Sequence, residues 1–204
     1  MKYASWSLML TLLFIFANEV VAQDYLRYVA PIKGGPSIRV EPDARGICPS
    51  VPNLSSDFKI EIVAPERLGY TIRAQPTLYW RVNKEVKGTF ALTIEEMTED
   101  FSFKPLLEMS ASLSVKPGLH NYSLSGLKVR LKKDVDYKWT LALVCDRENR
   151  SLDIGQSGGV RHVDKPNGLR FKDLKELAQK GVWYDVFDNA GRANRQRLLN
   201  QVGL

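Results

Sequence analysis

Between Phe58 and Cys145 the sequence alternates apolar and polar side chains one for one. A chain with that pattern must lay one face of several extended segments on a core. Phe58, Ile60 and Ile62 alternate with Lys59 and Glu61, while Thr77 to Val82 (TLYWRV) and Thr89 to Ile94 (TFALTI) are rich in β-branched and aromatic residues. Leu107, Met109, Ala111, Leu113 and Val115 alternate with Glu108, Ser110, Ser112 and Ser114. After the Lys116-Pro117-Gly118 turn signal come Tyr122 and Leu124, and then Tyr137, Trp139, Leu141, Leu143 and Cys145 share one face, which places Cys145 in the core. Short half-buried strands with turn signals about every 8 to 12 residues predict an antiparallel β-sandwich, immunoglobulin-like or fibronectin III-like, over residues 58–164. The stretch Tyr122-Ser-Leu-Ser-Gly-Leu127 before Asp136-Tyr137 is similar to the end of a fibronectin type III module.

The flanks read differently. Residues 23–57 hold five of the ten prolines and the Gly34-Gly35 pair, so they are expected to form an extended arm, with a short extended piece at Ser37 to Val40. Residues 165–204 switch to a helical period: Phe171, Leu174, Leu177 and Ala178 mark one helix, Gly181 its stop, and a second helix from near Val182 takes Trp183, Val186, Phe187 and Ala190 as its stripe. Arg192, Arg195 and Arg197 make the far end of that second helix basic, and the tail carries +4 of the chain's formal +6.

At the N-terminus Lys2 precedes the apolar run Leu8 to Phe16 (LMLTLLFIF), Glu19 ends the uncharged stretch, and Val20-Val21-Ala22 supplies a cleavage site. A bilayer-spanning helix needs about 20 apolar residues, whereas a signal-peptide core needs about 7 to 15. Residues 1–22 are therefore expected to be a signal peptide, and the mature chain to be exported, periplasmic or extracellular, without a transmembrane segment. In that setting excess positive charge favours an anionic envelope surface over nucleic acid. An even number of cysteines in an exported chain points to pairing, here Cys48 with Cys145.

Little in the chain can carry catalysis. Gly155-Gln-Ser-Gly-Gly159 fits the loop around a nucleophilic serine, but Ser157 would need a histidine and an acid held in reach. His120 lies 37 residues upstream and His162 five downstream. A glycine-rich hairpin turn between Leu152 to Ile154 and Val160 to Val163 accounts for the string instead. Neither histidine has a partner at ligand spacing, two thiols cannot build a structural zinc shell, and no phosphate-binding glycine motif occurs, so no metal or cofactor is expected. The carboxylate pairs Glu95-Glu96 and Asp134/Asp136 read as solvated. The polar loop from Asp146 to Asp153 follows the longest strand, and loops at the end of a sandwich are common binding sites. Asp146, Arg147, Arg150 and Asp153, with Arg192, Arg195 and Arg197 of the tail, are thus the candidate binding residues. The expected function is a non-catalytic envelope module that binds an envelope protein or an anionic envelope surface. The alternative is a hydrolase of an envelope polymer using Asp146 and Asp153 as paired carboxylates.

Several short strings occur in a specific order: Arg45-Gly-Ile-Cys48, Ile62-Val-Ala-Pro65, Leu68-Gly69, Gln75-Pro-Thr-Leu-Tyr-Trp80, Lys116-Pro-Gly118, Tyr137-Lys-Trp139, Leu143-Val-Cys-Asp146, Arg150-Ser-Leu-Asp153, Gly159-Val-Arg-His-Val163 and Gly181-Val-Trp-Tyr-Asp185. Over roughly Arg45 to Ala190 this resembles the bacterial domain of unknown function family 928, found in exported proteins and prominent in cyanobacteria. The resemblance implies an all-β core, a paired Cys48 and Cys145, and a helical end bearing Trp-Tyr-Asp; it implies no activity. The chain departs from the family pattern at Gly155 to Gly159, where a bulkier stretch ending in Gly-Trp is usual, so a surface aromatic near Val160 is missing. Export should remove residues 1–22, and mass analysis of the exported chain should give Gln23 as its first residue; an intact Met1 would refute the assignment.

Overall fold

The computed structural model describes residues 26–31 and 48–204. The expected signal peptide and the expected extended piece at Ser37 to Val40 lie outside them. Eight strands form: β1 (Ile60–Ile62), β2 (Leu68–Thr71), β3 (Thr77–Val82), β4 (Val86–Met97), β5 (Phe103–Val115), β6 (Gly118–Ser123), β7 (Asp136–Leu143) and β8 (Ile154–His162). They build a mainly β sandwich of two sheets, a three-stranded one ordered β1-β3-β6 and a five-stranded one ordered β2-β8-β7-β4-β5. The alternation sets which side chains enter the core. Ile60, Ile62, Leu78 and Trp80 from the small sheet meet Phe90, Leu92, Ile94, Tyr137, Trp139 and Leu141 from the large one, all buried. Each such side chain contributes roughly 1.5 to 3 kcal/mol when buried. Gln156 also points inward, its Oε1 accepting the Ile62 N–H at 2.5 Å across the two sheets.

Two expectations about strands are corrected. Gly155 to Gly159 is not a hairpin turn but the middle of β8, which pairs with β7 without interruption from Leu143↔Ile154 to Asp136↔Arg161. The glycines are there for space. A Cβ at Gly158 would stand 2.8 Å from Ile62 Cγ2 and 3.0 Å from Trp139 Nε1, and one at Gly155 would stand 2.6 Å from Ala142 Cβ. Val160 is buried, so an aromatic there would be a core residue rather than a surface one. The pairing is also not wholly antiparallel: β2 runs parallel to β8, from Leu68↔Gly159 to Thr71↔His162. The strands are far apart in sequence, so no tight turn dictates their direction.

The tail forms three helices rather than two: α1 (Leu174–Gln179), α2 (Tyr184–Asn189) and α3 (Arg192–Gln201). Phe171 precedes α1 and lies exposed beneath the Arg73 guanidinium, 5.3 Å from its ring centre. Gly181 adopts φ +79° and ends α1 with the Gly181 N–H to Ala178 O and Val182 N–H to Leu177 O bonds. The expected second helix breaks at Ala190 and Gly191, where the backbone is extended. A continuous helix rises about 1.5 Å per residue and would carry Leu198 and Leu199 away from the core; the break folds both back into it.

The ends of the described chain are fastened too. Leu26 and Tyr28 are buried, and the Gln201 amide accepts the Tyr28 N–H at 2.7 Å while donating to Leu26 O at 3.0 Å. The Tyr28 ring meets Trp183 edge-on with centres 5.0 Å apart. Cys48 is disulfide-bonded to Cys145 with Cα atoms 4.4 Å apart, and the Ser50 N–H bonds Cys145 O at 2.9 Å beside it. Because the bridged cysteines are 97 residues apart, the chain-entropy model gives about 4 to 5 kcal/mol of stabilisation, native strain subtracting from it. Urea unfolding with and without reductant should show a loss of that order; an unchanged midpoint after verified reduction would contradict it.

Candidate functional site

The polar residues singled out from the sequence are mostly engaged in holding the fold. Asp153 Oδ1 accepts the Cys145 N–H at 2.9 Å and its Oδ2 binds Arg150 Nε, so one carboxylate fixes both the loop and the disulfide. Asp146 Oδ1 takes the Glu148 N–H at 2.8 Å. Arg195 donates from Nε to Phe187 O at 2.9 Å and from Nη2 to Asp188 O at 2.6 Å, satisfying the last carbonyls of α2, with its guanidinium 5.2 Å from the Tyr79 ring centre. Arg147, Arg192 and Arg197 are exposed and form no ion pair among the described residues.

The catalytic candidates are likewise not assembled. Ser157 Oγ shares a 2.7 Å hydrogen bond with Thr140 Oγ1 on the neighbouring strand. The rings of His120 and His162 bond the main-chain oxygens of Lys116 and Leu131. Three of the four paired carboxylates hold a cation: Glu95 with Lys138 at 2.7 Å, Glu96 with Lys132 at 3.0 Å, and Asp136 with Arg161. Among the described residues no three potential metal ligands converge.

The Trp-Tyr-Asp string is a structural plug. Trp183 Nε1 donates to Val63 O at 3.0 Å, Tyr184 OH donates to Gly159 O at 2.8 Å while accepting from Trp139 Nε1 at 2.9 Å, and Asp185 Oδ2 accepts the Ile72 N–H at 2.8 Å. Burial pushes the Asp185 carboxyl above its usual range, against the pull of the Ile72 N–H and of Arg73. Below it Asp188 receives Tyr79 OH at 2.6 Å and Arg73 Nη1 at 2.8 Å. Burial, then Asp188, pushes the Tyr79 hydroxyl up to about 12, so it stays a neutral donor at physiological pH.

The open site lies at the opposite edge. β5 ends the large sheet and β6 ends the small one, and between them a cleft of about 470 Å³ opens. That volume falls in the ordinary range for ligand pockets, about 300 to 1,000 Å³. Trp80, Phe90, Leu92, Trp139 and Leu141 line it deep in the sandwich; Met109, Ala111 and Leu113 of β5 and Leu119, His120 and Tyr122 of β6 line its walls. The His120 ring lies over Trp80, their centres 4.9 Å apart. The alternation had marked Met109, Ala111 and Leu113 as core-facing, yet Ala111 and Leu113 are exposed because no described residue covers that part of β5. Alternation reveals a face, not whether a second layer lies upon it, so the cleft has no signal in the sequence.

These features define a disulfide-fastened, two-sheet sandwich, plugged by helices at one edge and open to apolar contact at the other. The model of the family described as Domain of Unknown Function (DUF928) matches residues 44–203, and the chain belongs to that family. No curated protein matches it. Asp153→Ala should lower the unfolding free energy by about 1 to 3 kcal/mol, since it leaves the buried Cys145 N–H unpaired. Arg147→Ala should leave it within about 0.5 kcal/mol; equal effects in denaturant titration would contradict these roles.

Proposed function

We propose that the chain is an exported, non-catalytic binding module of the bacterial envelope, and that it holds an envelope protein in the cleft between β5 and β6. The observation that carries this reading is the cleft itself: about 470 Å³ with mostly apolar walls, continuous with the core and open to water. An uncovered apolar surface is costly for an isolated protein and is characteristic of interaction sites. The ordered signal features at residues 1–22 support export. The Asp146 to Asp153 loop and Arg195 have internal duties, so the basic tail is reduced to Arg192 and Arg197 as free cations of the earlier set. That leaves less for an anionic surface to grip, and nothing in the arrangement favours nucleic acid. Hydrolysis by Asp146 and Asp153 gains no support either, because Asp153 is committed to Cys145 and Arg150.

Ala111 is exposed on the wall, so Ala111→Trp should fill the cleft without disturbing the fold. Nile red, a neutral apolar dye, should bind the mature protein and lose at least tenfold in affinity in Ala111→Trp at unchanged melting temperature. In the native envelope, photocrosslinkers at Leu113 should yield adducts that Ala111→Trp abolishes. Undiminished dye binding by the variant, or adducts from Arg147 or Arg197 in place of Leu113, would overturn the reading.

A further inference from the structure

We infer that the occupant of this cleft is an extended protein segment that pairs with the free edge of β6 as a fourth strand of the small sheet, with small apolar side chains at alternate positions. The inference rests on the cleft being the binding site and adds how it recognises its partner.

Among the described residues β6 has a single neighbour, β3, and β5 a single neighbour, β4. Each therefore turns a row of main-chain N–H and C=O groups outward, the arrangement that accepts an added strand. Edges are ordinarily guarded by charge, proline or a bulge. Here Met109 to Val115 and Gly118 to Ser123 hold no charged residue and no proline, and the one irregularity between β4 and β5 lies at Ile94 and Glu95, beyond this stretch.

The lining carries the argument from an apolar hole to a strand. Consecutive residues contribute: Met109, Ser110 and Ala111 on one wall, Leu119, His120 and Asn121 on the other. Successive side chains of a strand point to opposite faces, so a space bordered by consecutive residues is bordered by strand edges, main chain included. An acyl chain would make no use of those donors and acceptors.

The two free edges are not equivalent. A strand added to β5 would widen the large sheet and would itself lie uncovered. One added to β6 lies over β5 and buries Ala111 and Leu113, which no described residue covers, together with the exposed part of half-buried Met109. β6 is six residues long, about 20 Å at the usual rise, which sets the length of the paired segment. Inward side chains of that segment recur about every 7 Å, the spacing of Met109, Ala111 and Leu113 themselves. Among the described residues no charged side chain lines the cleft, so a charge at an inward position would be buried without a partner and is selected against. The partner is thus a neutral segment with an apolar residue at every second position.

The test uses the mature chain and a capped peptide of sequence KTVTLTVTK. A second peptide has the same composition with its apolar residues contiguous (KTTVLVTTK). A third is the first with N-methyl groups on alternate amides along one edge, and a fourth with them along the other. The alternating peptide should bind and slow hydrogen exchange at the outward amides of β6. The contiguous peptide and one of the two methylated forms should bind at least tenfold more weakly. Ala111→Trp should weaken binding of the alternating peptide by a similar factor. Equal affinity for all four peptides, or no added protection on β6, overturns strand pairing. Dodecyl maltoside below its micellar concentration binding in place of the peptide, and lost in Ala111→Trp, overturns pairing but leaves the cleft as the binding site. Failure of the peptide, the detergent and Nile red alike overturns both. Concentration-dependent dimerisation in sedimentation, blocking the peptide and abolished by Asn121→Pro in a folded variant, makes a second copy the occupant and overturns the partner proposed.

Discussion

The inner face of the five-stranded sheet has to be kept from water across its whole width, and the three-stranded sheet is too narrow to do so. Much else in the molecule answers to that imbalance. On the β2 side the helical tail supplies the missing cover, with Trp183 donating to Val63 O just past β1 and Tyr184 to Gly159 O of β8. The extended backbone at Val182 bridges Tyr70 and closes the β2 edge. On the β5 side no described residue supplies such a cover, and the cleft is what remains. The plug and the opening are two outcomes of one mismatch in strand number.

Polar groups inside the plug are chosen for their ability to finish hydrogen bonds that strands leave open. Trp139 Nε1, Tyr184 OH and Gly159 O form a chain in which each donor finds an acceptor. Gly158 gives the Trp139 ring the room this requires. The family landmarks Tyr-Lys-Trp, Gly-Val-Arg-His-Val and Trp-Tyr-Asp thus meet at one junction, although they are scattered along the chain.

Elements whose character is local were legible in the sequence. β3, β4, β5 and β7 stand where the alternation put them, and the disulfide joins the two cysteines expected to pair. Elements whose character depends on a distant neighbour were not. β2 has four residues and a glycine, and gains its identity only by pairing with β8. The glycines of β8 looked like a turn because their reason, Ala142 against Gly155 and the bulk of Trp139 and Ile62 against Gly158, lies elsewhere in the chain. Arg195 looked like free charge until the end of α2 came beneath it. The cleft was illegible on the same principle, since whether β5 is central or terminal is a property of topology and not of its own residues.

The Gln201 clamp on Leu26 and Tyr28 has a consequence for how the molecule comes into being. Delivered from its N-terminal end, the chain presents Tyr28 first and must wait for Gln201 before that contact can form. Cys48 waits in the same way for Cys145, and β2 for β8. Contacts so distant in sequence make folding slow and leave early segments without partners. The β2 side of the sandwich therefore cannot close until β8 and the helical tail have been delivered, and until then the apolar residues that it covers stay open to other contacts.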